Sequence, residues 1–242
     1  MVGILEAILL GVVQGLTEWL PVSSKGNVSI LGQFLGMNVS DAFSYAIILH
    51  IGTLIAAIFY FRKDLREMFF GKQKEKTGFV FWVLAGTAVT ALPAYLVLKK
   101  ILETASISFA GITLYSQTIF LFVVGVFLLV TGFLQLAKKI EKHAVLSHKN
   151  AFVVGLAQGL TVLPGMSRSG TTSSVMLFEG FSPSKAFELS FFISIPTVLI
   201  GEIFFGFLEQ PNLEASMLFG IAAAGITGYF SMGFLIGLAK KI

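Results

Sequence analysis

The sequence predicts an all-α integral membrane protein in one membrane domain, residues 1–242. The expected architecture is an inverted-topology repeat with two re-entrant helical hairpins and about five full transmembrane helices. Three observations point there. Hydrophobic residues make up 55% of the chain and charged residues 12%, against a soluble norm of about 25% charged. Gly11-Val-Val-Gln14-Gly15-Leu16-Thr17 returns 144 residues later as Gly155-Leu-Ala-Gln158-Gly159-Leu160-Thr161, with five of seven positions identical. Finally, the lysines and arginines concentrate in short loops beside apolar segments, the pattern that sets membrane orientation.

The elements follow in order. A crossing needs about 20 apolar residues, and the stretches 42–61, 78–98, 113–136, 185–206 and 216–238 qualify. Two further apolar segments, 3–36 and 151–181, are broken by polar, proline-containing runs. The first break is Leu20-Pro21-Val22-Ser23-Ser24-Lys25-Gly26-Asn27 and the second is Leu163-Pro164-Gly165-Met166-Ser167-Arg168-Ser169-Gly170-Thr171-Thr172. Proline removes a backbone donor and clashes with the preceding turn. Non-helical backbone at membrane depth must also be buried in protein or line a cavity. Each broken segment is therefore expected to dip in and return as a pair of short helices. Repeat one covers about 1–136, a hairpin plus three spans. Repeat two covers about 151–242, a hairpin plus two.

Arg62, Lys63, Arg66, Lys72, Lys74 and Lys76 fall between the first two spans; Lys138, Lys139, Lys142 and Lys149 follow the third, and Lys240 and Lys241 the fifth. These loops share one side, cytoplasmic by the positive-inside rule; Lys99 and Lys100 dissent mildly. Three spans separate the hairpins, so the hairpins enter from opposite sides and their tips meet near the midplane, where repeat transporters place their sites. The similarity continues past the hairpins, with Ala42-Phe43 matching Ala186-Phe187, and Ile51 and Thr53 matching Ile195 and Thr197.

With no cysteine, disulfide and thiolate chemistry are excluded. A net charge of +4 placed in membrane-flanking loops is not a nucleic-acid signal. The start of the chain, with Glu6 and no basic region, is not expected to be a cleavable signal peptide.

Gln14 and Glu18 are four residues apart and share a helix face. An ionisable residue at the depth of Glu18 is a functional candidate, as a divalent-cation ligand or general base. The competing reading is a structural lock between Glu18 and Arg168 or Lys25. Ser23, Ser24, Ser167, Ser169, Thr171 and Thr172 supply hydroxyls at the breaks, with Arg168 and the small residue Gly170 among them. Capping explains one or two hydroxyls. Hydroxyls, an arginine and helix-start N–H groups together are what a phosphate needs. Lys25 holds in the first copy the place of Arg168 in the second, and is expected either to touch phosphate or to snorkel. His50, matched by Ser194 in the repeat, is read as a packing or interhelical hydrogen-bonding residue.

The segments Gln14-x-x-x-Glu18, Leu20-Pro21-Val22-Ser23-Ser24 and Pro164-Gly165-Met166-Ser167-Arg168-Ser169-Gly170-Thr171-Thr172 resemble the undecaprenyl-diphosphate phosphatase family of the bacitracin-resistance type. Its patterns (E/Q)xxxE and PGxSRSxxT are both met, and Leu49-His50-Ile51-Gly52-Thr53-Leu54 also looks like the family. The resemblance implies a membrane hydrolase with a divalent cation (Mg²⁺ or Ca²⁺) and a site facing the outer side. It would remove the terminal phosphate of a polyprenyl diphosphate, recycling the lipid carrier of cell-envelope glycan synthesis. By matching positions, Glu18 and Gln14 form the acidic pair, Ser24 is nucleophile or phosphate ligand, and Arg168 is the phosphate clamp. Ser23, Lys25, Ser167, Ser169, Gly170 and Thr172 complete the substrate-binding set, and Glu18 is the metal ligand. The expected partners are the lipid substrate, the bilayer and, through a homodimer, a second copy.

Two departures stand out. Asn27 replaces the histidine usual in the family, and Lys25 a threonine, so proton transfer is expected to fall to Glu18. The chain also stops at Lys240-Lys241-Ile242, one span short of the usual pattern, leaving a face for lipid or a partner subunit to cover. The rival reading is a polyprenyl-phosphate flippase or transporter, which would use the same repeat site without hydrolysis.

Overall fold

A computed structural model describes residues 2–103, 106–109, 112–136, 144–209 and 214–241. The basic residues Lys138, Lys139 and Lys142, with His143, lie outside the described residues, as does Ile242. Five helices are long and apolar enough to cross a membrane: α3 (Val39–Tyr60), α5 (Lys74–Glu103), α6 (Ser116–Gln135), α9 (Pro183–Glu209) and α10 (Ser216–Ala239). They fall on the five expected spans. The third begins at Ser116 rather than 113, because Ile112–Tyr115 (β2) pairs with Ser106–Phe109 (β1) as an antiparallel hairpin. The first strand alternates serine with Ile107 and Phe109, and the second carries Ile112, Thr113 and Tyr115, residue types that suit a pleated ribbon. The basic loop after α3 contains an unexpected short helix, α4 (Arg62–Phe69).

Each broken segment folds as two short helices. The first gives α1 (Ile4–Thr17) and α2 (Ser24–Phe34); the second gives α7 (His148–Gly159), one 3₁₀ turn (Leu160–Val162) and α8 (Arg168–Phe178). At 1.5 Å per residue the longest of these is about 21 Å, short of a hydrocarbon core of about 30 Å. Both second helices start on a serine whose side chain accepts from a first-turn N–H, Ser23 from Gly26 and Ser167 from Gly170. Ser23 reaches its cap with φ +59°, the single non-glycine residue with positive φ among those described. In the second break Gly165 has φ +92°, and a Cβ there would run into the Val124 carbonyl of α6, so glycine is required twice over.

The two halves exchange partners. Helix α1 packs on α10, where Gly11 lies against the Gly220 backbone and Gly15 against Ala224 and Thr227. Helix α7 packs on α5, where Gly155 lies against Val83 and Gly86, and Gly159 against Thr87 and Thr90. The repeated glycines are thus the points of closest helix approach, as small residues commonly are between membrane helices. Each opening helix rests on a span of the other half.

The breaks also touch each other. Ser167 Oγ and Ser169 Oγ donate to the Leu20 carbonyl at 3.3 and 2.9 Å, and Lys25 Nζ donates to the Thr161 carbonyl at 2.6 Å. Gly170 sits against Pro21 and Thr131. Two polar residues in the second half of α6 hold the junction: Thr131 Oγ1 accepts from Ser167 N–H, and Gln135 Nε2 donates to the Pro21 carbonyl. Breaking two helices frees backbone polar groups that lipid cannot satisfy; here each break satisfies the other.

Candidate active site

Glu18 lies at the C-terminus of α1, buried, with every neighbour a donor. Its Oε2 accepts from Gln14 Nε2 at 2.9 Å and from Ser24 Oγ at 2.6 Å. Its Oε1 accepts from Arg168 Nη2 at 2.6 Å. The four-residue step from Gln14 places the amide one turn behind the carboxylate, and the sharp turn through Ser23 returns Ser24 to its front. Arg168, at the start of α8, also donates through Nη1 to the Ser190 carbonyl of α9 at 3.0 Å. Its guanidinium lies 5.6 Å from the ring of the buried Trp19, within cation–π range. Trp19 is fixed by its Nε1–H to the Gly228 carbonyl and by contact with Phe191.

His50 completes the cluster as an interhelical hydrogen-bonding residue, one of the two roles expected of it. From α3 it presents Nε2 to Glu18 Oε2 at 3.2 Å. Its Nδ1 lies 2.8 Å from the Ala46 carbonyl, and a carbonyl only accepts, so Nδ1 carries a proton. The contact between Nε2 and Oε2 then requires one further proton shared by imidazole and carboxylate. A lone histidine in an apolar span gives no local pattern, and its repeat mate is a serine. The usable signal was the cost of burying a titratable group at that depth.

Asn27 takes no part in this cluster. Its Nδ2 donates back to the Val22 and Ser23 carbonyls at 2.7 and 3.0 Å, tying down the first break. Lys25 bonds the second break, which neither sequence reading of it anticipated. Glu18, Ser23, Ser24, Lys25, Ser167 and Arg168 all line one cavity of 580 Å³. Gln14 stands behind Glu18. Ser169 and Thr172 spend their hydroxyls on Leu20 O, Ser190 Oγ and Arg168 O, and Gly170 gives α8 its close seat on Pro21. These three do not line the cavity; they hold the arginine's helix in place.

The cavity runs along α5 from Leu84 to Glu103, with the start of α3 and the far end of α9 as its other walls. Most of its surface is apolar, including Phe43, Ile47, Leu92, Leu98 and Phe204. Charge is confined to the Glu18 end, to Glu202 on α9, and to Lys99 and Glu103 at the opposite end. Sites for small molecules are mostly apolar with a few convergent polar groups; this one would suit an amphiphile with a charged head and a long tail.

Five candidate spans, two broken helices that meet, and a charged, hydroxyl-bearing pocket facing an apolar chamber define a class: a polytopic membrane protein with a polar pocket at its helix breaks. Within that class, the chain belongs to the family described as bacitracin resistance protein BacA, which matches residues 7–242. It is 34% identical to an undecaprenyl-diphosphatase of Methanococcoides burtonii, over 100% of this chain and 93% of that one. It is 36% identical to the undecaprenyl-diphosphatase of Methanothrix thermoacetophila and 33% to that of Halothermothrix orenii, each over 98% of this chain and 90% of the relative.

Proposed function

We propose that this protein hydrolyses undecaprenyl, or a similar polyprenyl, diphosphate to the monophosphate and inorganic phosphate, recycling a lipid carrier for cell-envelope glycan synthesis. The observation that carries this reading is the convergence of Glu18, Ser24, His50 and Arg168 at the charged end of an otherwise apolar cavity. A flippase would need the cation and the chamber. It would have no use for a hydroxyl hydrogen-bonded to a buried carboxylate, and the names of the relatives favour hydrolysis.

In this reading Arg168 holds the terminal phosphate. Guanidinium has five N–H donors, and the bonds to Glu18 and Ser190 occupy two of them. Lys25 adds positive charge, and Ser23 and Ser167 frame the phosphate. Charge that develops on the transferred phosphoryl group is thereby met by donors fixed in advance. Ser24 is the nucleophile: its proton moves to Glu18 Oε2, the atom to which it already donates, as Oγ attacks the terminal phosphorus, while His50 keeps the shared proton beside that carboxylate. The polyprenyl monophosphate leaves, and water then hydrolyses the phosphoserine. His50 thus supplies the imidazole that Asn27 does not.

The divalent cation has one protein ligand in this scheme. Among the described residues no three His, Asp or Glu side chains converge on a metal position, and both Glu18 oxygens already accept hydrogen bonds. That donor set does not build a cage. It fits a Mg²⁺ or Ca²⁺ ion held mainly by diphosphate oxygens, the usual habit of Mg²⁺ at phosphate sites, with Glu18 as the single carboxylate beside it. When bound, such an ion neutralises phosphate charge.

We read the two helix pairs as re-entrant and the repeat as inverted, with the cavity opening to the outer side. The shortness of α1, α2, α7 and α8, the three spans between the pairs and the reciprocal packing on α10 and α5 support this. So does the position of Lys99 and Glu103, at the end of α5 away from the basic loops. The test is phosphate release from undecaprenyl diphosphate by detergent-purified protein, with and without Mg²⁺ or Ca²⁺. Metal-dependent release, lost in Arg168→Ala and Glu18→Ala, is expected. A well-folded wild type that binds the lipid and releases no phosphate would overturn the hydrolase.

A further inference from the structure

We propose that the outer face of α4 is a binding site for the phosphate-bearing headgroup of an anionic phospholipid, in the leaflet bordered by the basic loops. This helix takes no part in the cavity described above. Its eight residues divide cleanly between two faces. On the inner face, Leu65 and Met68 pack against the core that includes Phe61, Phe79 and Phe192. There too, Asp64 accepts from the buried Lys76 Nζ at 2.6 Å. The helix is therefore pinned to α5 by its own acidic residue, and its rotation is fixed.

Lys63, Arg66, Glu67 and Phe70 follow at i, i+3, i+4 and i+7, a single stripe on a helix. Lys72 joins them after the turn at Gly71, whose φ is +71°. These five residues enclose a concavity of 280 Å³. Among the described residues, Lys63, Arg66 and Lys72 have no acidic partner within ion-pair distance. Glu67, the one acid of the group, accepts instead from Gln73 Nε2. Three cations around one carboxylate leave an excess of positive charge that no acidic side chain among the described residues meets at ion-pair distance.

The phenylalanines choose the occupant. Phe69 is 88% exposed and Phe70 63%, adjacent to the cations, at the end of a helix that Phe61 alone separates from a span ending at Tyr60. Rings placed so are costly in water and favourable at the boundary of headgroup and acyl chain, where amphipathic helices insert. A free phosphate would use the cations and have no use for the rings. A phospholipid uses both, and basic clusters beside a span attract anionic lipid generally.

The experiment is native mass spectrometry of the full chain, released from mixed micelles of phosphatidylglycerol and phosphatidylcholine. Wild type is expected to retain phosphatidylglycerol, and the variant K63Q/R66Q/K72Q to bind it about tenfold or more weakly, as loss of several lipid-facing charges implies. F69S/F70S is expected to weaken phosphatidylglycerol binding as well, while Glu67→Gln strengthens it. Should the triple variant fold poorly, the Glu67→Gln arm decides. Equal phosphatidylglycerol retention across wild type, the charge variant and Glu67→Gln would overturn the proposal. So would displacement of the lipid by millimolar inorganic phosphate with no effect of F69S/F70S.

Discussion

Replacing His50 by glutamine tests a catalytic assignment that rests on packing between α3 and the first break. His50 makes two polar contacts, Nδ1 to the Ala46 carbonyl at 2.8 Å and Nε2 to Glu18 at 3.2 Å. Glutamine has comparable reach and one amide, so it can keep one N–H contact and loses the titratable ring. The stability cost should be about one hydrogen bond, roughly 1 kcal/mol, or about 2–4 °C in melting temperature for a chain of this size. The catalytic cost should be larger. A positioned acid–base group contributes about 10²–10⁴-fold, so kcat for phosphate release should fall at least about a hundredfold, roughly 3 kcal/mol of barrier. Lipid binding should be retained. Asn27→Ala is the companion measurement: its side chain serves only the Val22 and Ser23 carbonyls, so its kcat should stay within about threefold of wild type, since carbonyl contacts of this kind bear on stability. An active His50→Gln beside an inactive Asn27→Ala would refute the reasoning.

Two further outcomes are expected. Ser24→Ala should abolish both turnover and the phosphorylated intermediate trapped by rapid acid quench; turnover near wild type would mean that water attacks directly. Gly15→Val and Gly159→Val should each lower the detergent melting temperature by a similar amount, about 1–3 kcal/mol or more of overpacking. Their added atoms would meet the hydroxyls of Thr227 and Thr90 respectively. A large effect in one copy and none in the other would argue against equivalent packing of the two halves.

The five spans and the two breaks could be read before any coordinates, because crossing a bilayer imposes a length and a composition on each segment. The β1–β2 hairpin and α4 could not, since both sit in loops where no such requirement acts. Gln14, Glu18 and Ser24 are near neighbours in sequence, and helix spacing alone places the first two together. The Arg168 bond to Glu18 spans 150 residues; the repeat pointed to it because Glu18 lies just before the first break and Arg168 within the second. His50 had neither local spacing nor a repeat mate of its own kind. Its partner became visible only once α3 packed beside the first break. Lys25 illustrates a further limit: a long cationic side chain has many possible acceptors, and the Thr161 carbonyl that it found belongs to a turn with no sequence signature for accepting it.

The exchange of partners between the halves also sets an order of events during synthesis. Helix α1, which ends at Glu18, emerges early, yet the surface it rests on belongs to α10, made far later. Trp19 must wait for Gly228, 209 positions later, before its indole N–H has its acceptor. Until then the glycine face of α1 lacks its mate, whereas the groove on α5 is covered earlier, once α7 is made. The nascent protein must shelter that half-built seam in the membrane, and contacts so distant along the chain close slowly. Catalytic geometry is therefore the last thing the chain acquires. A ribosome stalled before α10 would leave a protein with both signature motifs in place and no fixed position for its carboxylate.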